Sequence, residues 1–261
     1  MREALNYRGR RWREGATSEV DDTVAEEVPV ALVYNGISHV VMLASPMDLE
    51  EFGLGFSLSE GIVQSAREVR DIEVHASGDG IEVQMTIAAE RFMALKTRRR
   101  NLAGRTGCGL CGTESLEQVL RPLPKVAAAG MVGHTAIHAA FDTLHQRQHL
   151  YALTGAVHAA AWARPDGTLE VAREDLGRHN ALDKLIGAMA RQNLSFTGGF
   201  AIITSRASSE MVQKAATVGM PLLAAISAPT GLAIRLAQDC GLTLIGFARG
   251  ASHTVYAGCL A

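Results

Sequence analysis

Three short apolar runs, at residues 200–204, 222–226 and 242–247, alternate with helical patterns over 180–192, 209–218 and 231–239. Runs that are apolar from end to end have no face suited to water. Joined through helices, they predict a mostly parallel sheet covered on both sides. A helix over 135–148 and a strand pair turning at Pro165-Asp166-Gly167 precede them.

That order resembles the cytidine-deaminase-like architecture, so a three-layer α/β domain is expected over 127–261. Ahead of it the pattern is α+β. Residues 30–34 and 37–43 are β-rich and joined by Asn35-Gly36, the dipeptide that most readily takes the positive φ angles of a tight hairpin. Ser45-Pro46 offers an N-cap and a first-turn proline for a helix running to Gly61. Strands at 69–75 and 81–87 flank Gly78-Asp79-Gly80, and a short helix covers 90–99. A smaller α+β domain is therefore expected over 28–126, with Ala127-Ala-Ala-Gly130 as linker. Residues 1–27 lack apolar periodicity and predict a tail or edge segment.

With 261 residues, 48% of them hydrophobic, the chain can bury a large core and a small one. A net charge of -2 provides no field for phosphate backbones, which argues against nucleic acid. The apolar runs are too short to span a bilayer, and the start lacks the apolar core of a secretory signal, so a cytoplasmic protein is expected. Four cysteines do not suggest a disulfide scaffold. Cys240 and Cys259 read as small buried hydrophobes.

Residues 101–112, Asn-Leu-Ala-Gly-Arg-Thr-Gly-Cys-Gly-Leu-Cys-Gly, hold four glycines and predict a mobile loop. The loop carries Cys108 and Cys111. Three chemistries suit such a pair. Half of a zinc site would need two more ligands, and neither a second CxxC nor a His-x3-His pair is expected to supply them. A thioredoxin-like pair should cap a helix in a βαβ unit, whereas glycines surround this one. A persulfide carrier needs exposure, mobility and nearby positive charge, which Arg98-Arg99-Arg100 and Arg105 supply. At a helix end the same arginines would simply complement the dipole.

Three other stretches gather polar residues where apolar strands end. Glu174 to Lys184 includes Asp175, Arg178, His179, Asn180 and Asp183 at a strand-to-helix junction. Such junctions hold ligands in α/β sheets, while capping by Asn180 or His179 is the plainer reading. Thr204-Ser-Arg-Ala-Ser-Ser-Glu210 opens a helix after a strand, so its hydroxyls, Arg206 and free N–H groups form an anion cradle or a cap. Phe247-Ala-Arg-Gly-Ala-Ser252 follows the last strand, where Arg249 is placed to clamp phosphate and Gly250 lets backbone approach. His158, on an apolar strand, reads as a core histidine.

With these four stretches in this order, residues 28–256 resemble the formate dehydrogenase accessory sulfurtransferase family, also called FdhD/NarQ. The resemblance implies a sulfurtransferase that takes persulfide sulfur from a cysteine desulfurase. It would pass that sulfur to molybdenum bis(molybdopterin guanine dinucleotide), bound as substrate, before the cofactor enters formate dehydrogenase. Cys108 is then the persulfide cysteine and Cys111 its assisting partner. Phe247, Ala248, Arg249, Gly250, Ala251 and Ser252 contact the guanine nucleotide part, and the protein is a homodimer without a permanent metal. A zinc deaminase would carry His-x-Glu ahead of Pro-Cys-x-x-Cys. Here the CxxC precedes the deaminase-like part and lacks the proline, so the fold likeness does not bring zinc hydrolysis with it. The rivals are a non-catalytic molybdenum-cofactor-binding chaperone, which would tolerate Cys108→Ser, and a metal-dependent deaminase, which would hold stoichiometric zinc.

Overall fold

The computed structural model describes residues 2–103, 122–130 and 132–261. The opening segment is neither tail nor isolated edge: β1 (Ala4–Arg13) and β2 (Ala16–Ala25) pair antiparallel along their whole length. Their turn is Glu14-Gly15, at φ 52° and 87°, the two-residue geometry whose twist suits the flanking strands. Charge, not an apolar face, accompanies the pairing. Arg8 meets Glu19 at 2.7 Å and Arg11 meets Asp22 at 2.9 Å, contacts worth about 0.2–1 kcal/mol each on a sheet. The base of the hairpin is fixed where Ala25 packs with Leu150 and Val157.

β3 (Val28–Tyr34) and β4 (Ile37–Ala44) form the expected hairpin, with Asn35 and Gly36 at φ 47° and 80°. β5 (Val69–Ser77) and β6 (Gly80–Ile87) form a second, and β3 runs parallel to β6, giving the order β4-β3-β6-β5. Alternate residues of β6, Ile81, Val83, Met85 and Ile87, are buried, the period-2 signature of a sheet covered on one side. The cover is α1 (Leu49–Ser59). This helix begins later than Ser45-Pro46 predicts, because the Ser45 N–H and hydroxyl both donate to Asp175 at 3.0 Å. α2 (Ala89–Ala103) runs past the end predicted at Arg99 and takes in residues 101–103, expected as loop.

After residues 122–130, which hold neither helix nor strand, come α3 (His134–Leu144), α4 (His149–Thr154), β7 (His158–Ala163) and β8 (Leu169–Asp175). The helix predicted over 135–148 is observed as α3 continued by a 3₁₀ turn at His145–Arg147, and α4 begins just beyond its predicted end. Then follow α5 (Arg178–Arg191), β9 (Phe200–Ile203), α6 (Ser209–Thr217), β10 (Leu222–Ala225), α7 (Gly231–Cys240), β11 (Thr243–Arg249) and β12 (Ser252–Ala257). They build a six-stranded sheet of order β12-β11-β10-β9-β7-β8, in which β9, β10 and β11 are parallel. Ile137 and Ala140 of α3 pack on one face against Ala159, Ala161 and Ile202. Residues of α5, α6 and α7 pack on the other against Ala160, Trp162, Ile203 and Leu223. The layering agrees with the α/β expectation for this part of the chain.

α5 is buried continuously from Asn180 to Met189, as a helix must be when both sides are covered. The six-stranded sheet lies on one side and α1 on the other. At this crossing a β-carbon on Gly55 would run into the Asp183 carbonyl, and one on Gly187 into that of Glu51. One apolar cluster consequently extends from the four-stranded sheet through α1 and α5 to the six-stranded sheet.

Candidate functional site

Parallel strands β9, β10 and β11 all end at one edge of the large sheet. β7 is antiparallel to β9, so it begins there, and β8 ends there. Three of the stretches singled out in the sequence thereby meet in one row: 247–249, then 226–227, 204–206, His158, and 175–179. Backbone bonds fix the row. Thr204 N–H donates to Ala159 O at 3.0 Å, Ile226 N–H to Ile203 O at 3.0 Å, and Phe247 N–H to Ser227 O at 3.1 Å. Ligands of open α/β sheets bind at this carboxyl edge.

The 174–184 stretch divides between scaffold and edge. Glu174 accepts the N–H groups of Leu150 and Tyr151 at 2.8 and 2.9 Å, holding the start of α4. Asp175, fully buried, pairs with Lys184 at 2.7 Å and accepts from Gly177 N–H and Asn180 Nδ2. Burial depresses the Lys184 pKa against the pull of Asp175. Asp183 accepts from Ser59 Oγ at 2.6 Å and pairs with Lys214 at 2.9 Å. Burial works against the Lys214 ammonium, but Asp183 and Glu60 outweigh it and hold its pKa above the ordinary value. Asp175, Asn180, Asp183 and Lys184 thus turn inward, leaving Arg178 and His179 to face the edge.

His179 Nε2 lies 2.7 Å from Glu210 Oε2, with Arg178 4.0 Å from the same oxygen. Burial lowers the His179 pKa despite Glu210, and burial followed by Arg178 lowers that of His158. Both imidazoles therefore favour the neutral form, able to donate and accept without adding charge. Ser208 stands at the N-cap position of α6 yet makes no side-chain cap bond. Its hydroxyl and Arg178 Nε are shielded from water and have no hydrogen-bond partner among the described residues. Arg206 is exposed beside them. Unspent donors, a guanidinium and a helix N-terminus in one place suit an anion.

The 247–252 segment ends the row. Phe247 is 46% exposed and sits at φ 54° in a break of the β11–β12 register, a left-handed conformation that bulky residues rarely take and that clusters at functional sites. Ala248 is buried. Arg249 donates from Nε to Ile226 O at 2.8 Å, and Gly250 at φ 54° makes the turn into β12 through Ala251. Ser252 Oγ, exposed, lies 3.4 Å from Arg249 O.

Cys108, Cys111 and Arg105 lie outside the described residues, and Arg98 to Arg100 fall in the last turns of α2. Cys240 is buried as expected, while Cys259 is exposed. The histidine trio His134, His138 and His253, whose rings meet at 2.9 and 3.1 Å, was not anticipated. The His134-x3-His138 spacing on one helical face was its legible signal, and it corrects the expectation that no His-x3-His pair is present.

The FdhD/NarQ family pattern matches residues 25–260. Sulfur carrier protein FdhD of Cupriavidus necator is 60% identical over 248 residues, covering 95% of this chain and 86% of that one. Its counterpart in Xanthomonas euvesicatoria is 56% identical over 247 residues, covering 95% and 88%. The crystal structure of a formate dehydrogenase accessory protein from Desulfotalea psychrophila matches with a TM-score of 0.79 at 25% identity, over 98% of each chain. Among the described residues no helix is long and apolar enough to cross a membrane. On the sequence match across nearly its whole length and the shared fold, the chain belongs to the FdhD/NarQ family.

Proposed function

We propose that this chain carries sulfur as a persulfide on Cys108 and delivers it to molybdenum bis(molybdopterin guanine dinucleotide), its bound substrate, ahead of insertion into formate dehydrogenase. Relatives named sulfur carrier protein and formate dehydrogenase accessory protein support the general role. The observation that carries the finer reading is the convergence of Arg178, Arg206, Ser208 and 247–252 on one sheet edge, with donor groups left unspent. A nucleotide phosphate answers those donors, and the exposed Phe247 ring offers a face to a purine.

The sulfur chemistry closes with the residues of the CxxC pair. Cys108 thiolate attacks the outer sulfur of a cysteine desulfurase persulfide, the donor S–S bond breaks, and the donor cysteine leaves as thiolate. Cys111 then attacks the inner sulfur at Cys108. That step forms the Cys108–Cys111 disulfide and releases hydrosulfide as a ligand for molybdenum, and a cellular dithiol reduces the disulfide. The same reading has the protein working in the cytoplasm as a homodimer.

GDP titration by calorimetry tests the nucleotide half. Wild-type protein is expected to bind it, with Arg206→Ala and Arg178→Ala weakened by about tenfold or more each, as expected for loss of a charge-assisted phosphate contact. Equal affinity in all three proteins would remove the phosphate site from this edge.

A further inference from the structure

One cluster outside the carboxyl-edge row stays unused by this reading. His134 and His138 sit one turn apart on α3, and His253 follows Ser252 directly on β12. His134 Nδ1 faces His253 Nε2 at 2.9 Å, and His253 Nδ1 faces His138 Nε2 at 3.1 Å. The His134 and His253 ring planes lie within 14° of each other. The arrangement is a chain, since His253 meets its neighbours through different nitrogens, and no single cation could take both. One end opens to water at the exposed His134, whereas His138 Nδ1 is shielded and without a partner among the described residues.

We propose that His253 is a positioning residue for the 247–252 segment, fastened to α3 by an imidazole chain that keeps both its links with one added proton and opens at the second. This rests on the reading of that segment as a nucleotide contact. The chemistry follows from counting ring hydrogens. In the neutral chain each link pairs one N–H with one lone pair. A first proton, on whichever of the three rings it sits, leaves each link with one N–H facing one lone pair, and both links survive. A second proton leaves too few chain-facing lone pairs, so at one link N–H is set against N–H.

Burial, then His138 and His134, lower the His253 pKa. Other ionisable groups on the packed elements are Asp142 on α3, Arg249 on β11, Tyr256 on β12 and Cys259 beyond it. The Arg249 guanidinium is engaged with Ile226 O. The charges acting on His253 are those of the two flanking imidazoles. Once the chain opens, the first residues of β12 lose their tie to α3, and the turn that presents Arg249 and Ser252 loosens.

The test pairs GDP affinity with histidine NMR. The double variant His134→Asn/His138→Gln replaces each chain-facing nitrogen with an amide group at similar reach that accepts from His253 and does not titrate. Between about pH 7.5 and pH 5, wild-type affinity for GDP is expected to fall by about tenfold more than that of the double variant, as the imidazoles gain protons across that range. Wild-type imidazole resonances should show the titration of His253 coupled to that of the flanking rings, and held below the ordinary histidine range. Identical pH profiles in two proteins that both bind GDP would overturn the proposal, as would independent titration of the three rings. Absence of GDP binding at every pH would instead defeat the nucleotide reading itself, while the NMR coupling of the three titrations still reports on the chain.

Discussion

Gly55 and Gly187 cross backbone against backbone, each occupying a place on α1 or α5 where a β-carbon would strike the opposing helix's carbonyl. This contact joins the two sheets into one interior. Because the obstacle is main chain, it has little room to give. Gly187→Ala is expected to lose about 1–3 kcal/mol or more of unfolding free energy by the overpacking route, read from chemical denaturation. Gly55→Ala should lose a similar amount.

Beside that crossing, Asp183 and Lys214 form a buried pair with Ser59 and Glu60. Lys214→Met would leave the Asp183 carboxylate without its counter-charge, at about 3–5 kcal/mol. Arg8→Ala, which breaks an exposed pair on the hairpin, should cost under about 1 kcal/mol. Urea denaturation of both variants gives the comparison.

Stability should fall as pH drops below about 6.5, the unfolded histidine value. His158, His179 and His253 all have folded pKa values below it. The unfolded chain thus binds protons that the folded one refuses, and the contribution present above that pH is lost on acidification. Asp183, pushed up to about 6 by burial, acts oppositely from there downward, because its folded form holds a proton that its unfolded form releases. The histidine effect is therefore cleanest between about pH 7.5 and 6. Melting temperatures across that range should decline, and His179→Gln should flatten the decline.

Ser208 provides a contrast between cap and ligand group. A true N-cap serine costs about 1 kcal/mol when replaced by alanine. Since its hydroxyl makes no cap bond, Ser208→Ala should leave stability within about 0.5 kcal/mol while weakening GDP. Loss of stability with GDP affinity unchanged would return the residue to a capping role.

The alternation that built the parallel sheet was legible because buried strands are apolar on both faces. Asn35-Gly36 was legible because its φ angles restrict the residues that fit there. The opening hairpin was not, since its ladder is exposed and its pairs are charged, and periodicity detects only apolar faces. The start of α1 was missed because the competitor for the Ser45 hydroxyl, Asp175, lies far along the chain. The same distance hid the inward turn of Asp175, Asp183 and Lys184, whose charges read locally as candidates for ligand contact. The three edge stretches were legible one by one as strand ends, but their meeting in one row follows from strand order. The CxxC pair, the sharpest signal in the sequence, falls outside the described residues.

The most direct measurement is intact and peptide mass of the protein after incubation with a cysteine desulfurase and cysteine, paired with activation of formate dehydrogenase. One added sulfur on the Cys108 peptide, with both the adduct and the activation lost in Cys108→Ala, is the expected result. An undiminished adduct and full activation in Cys108→Ala would contradict it.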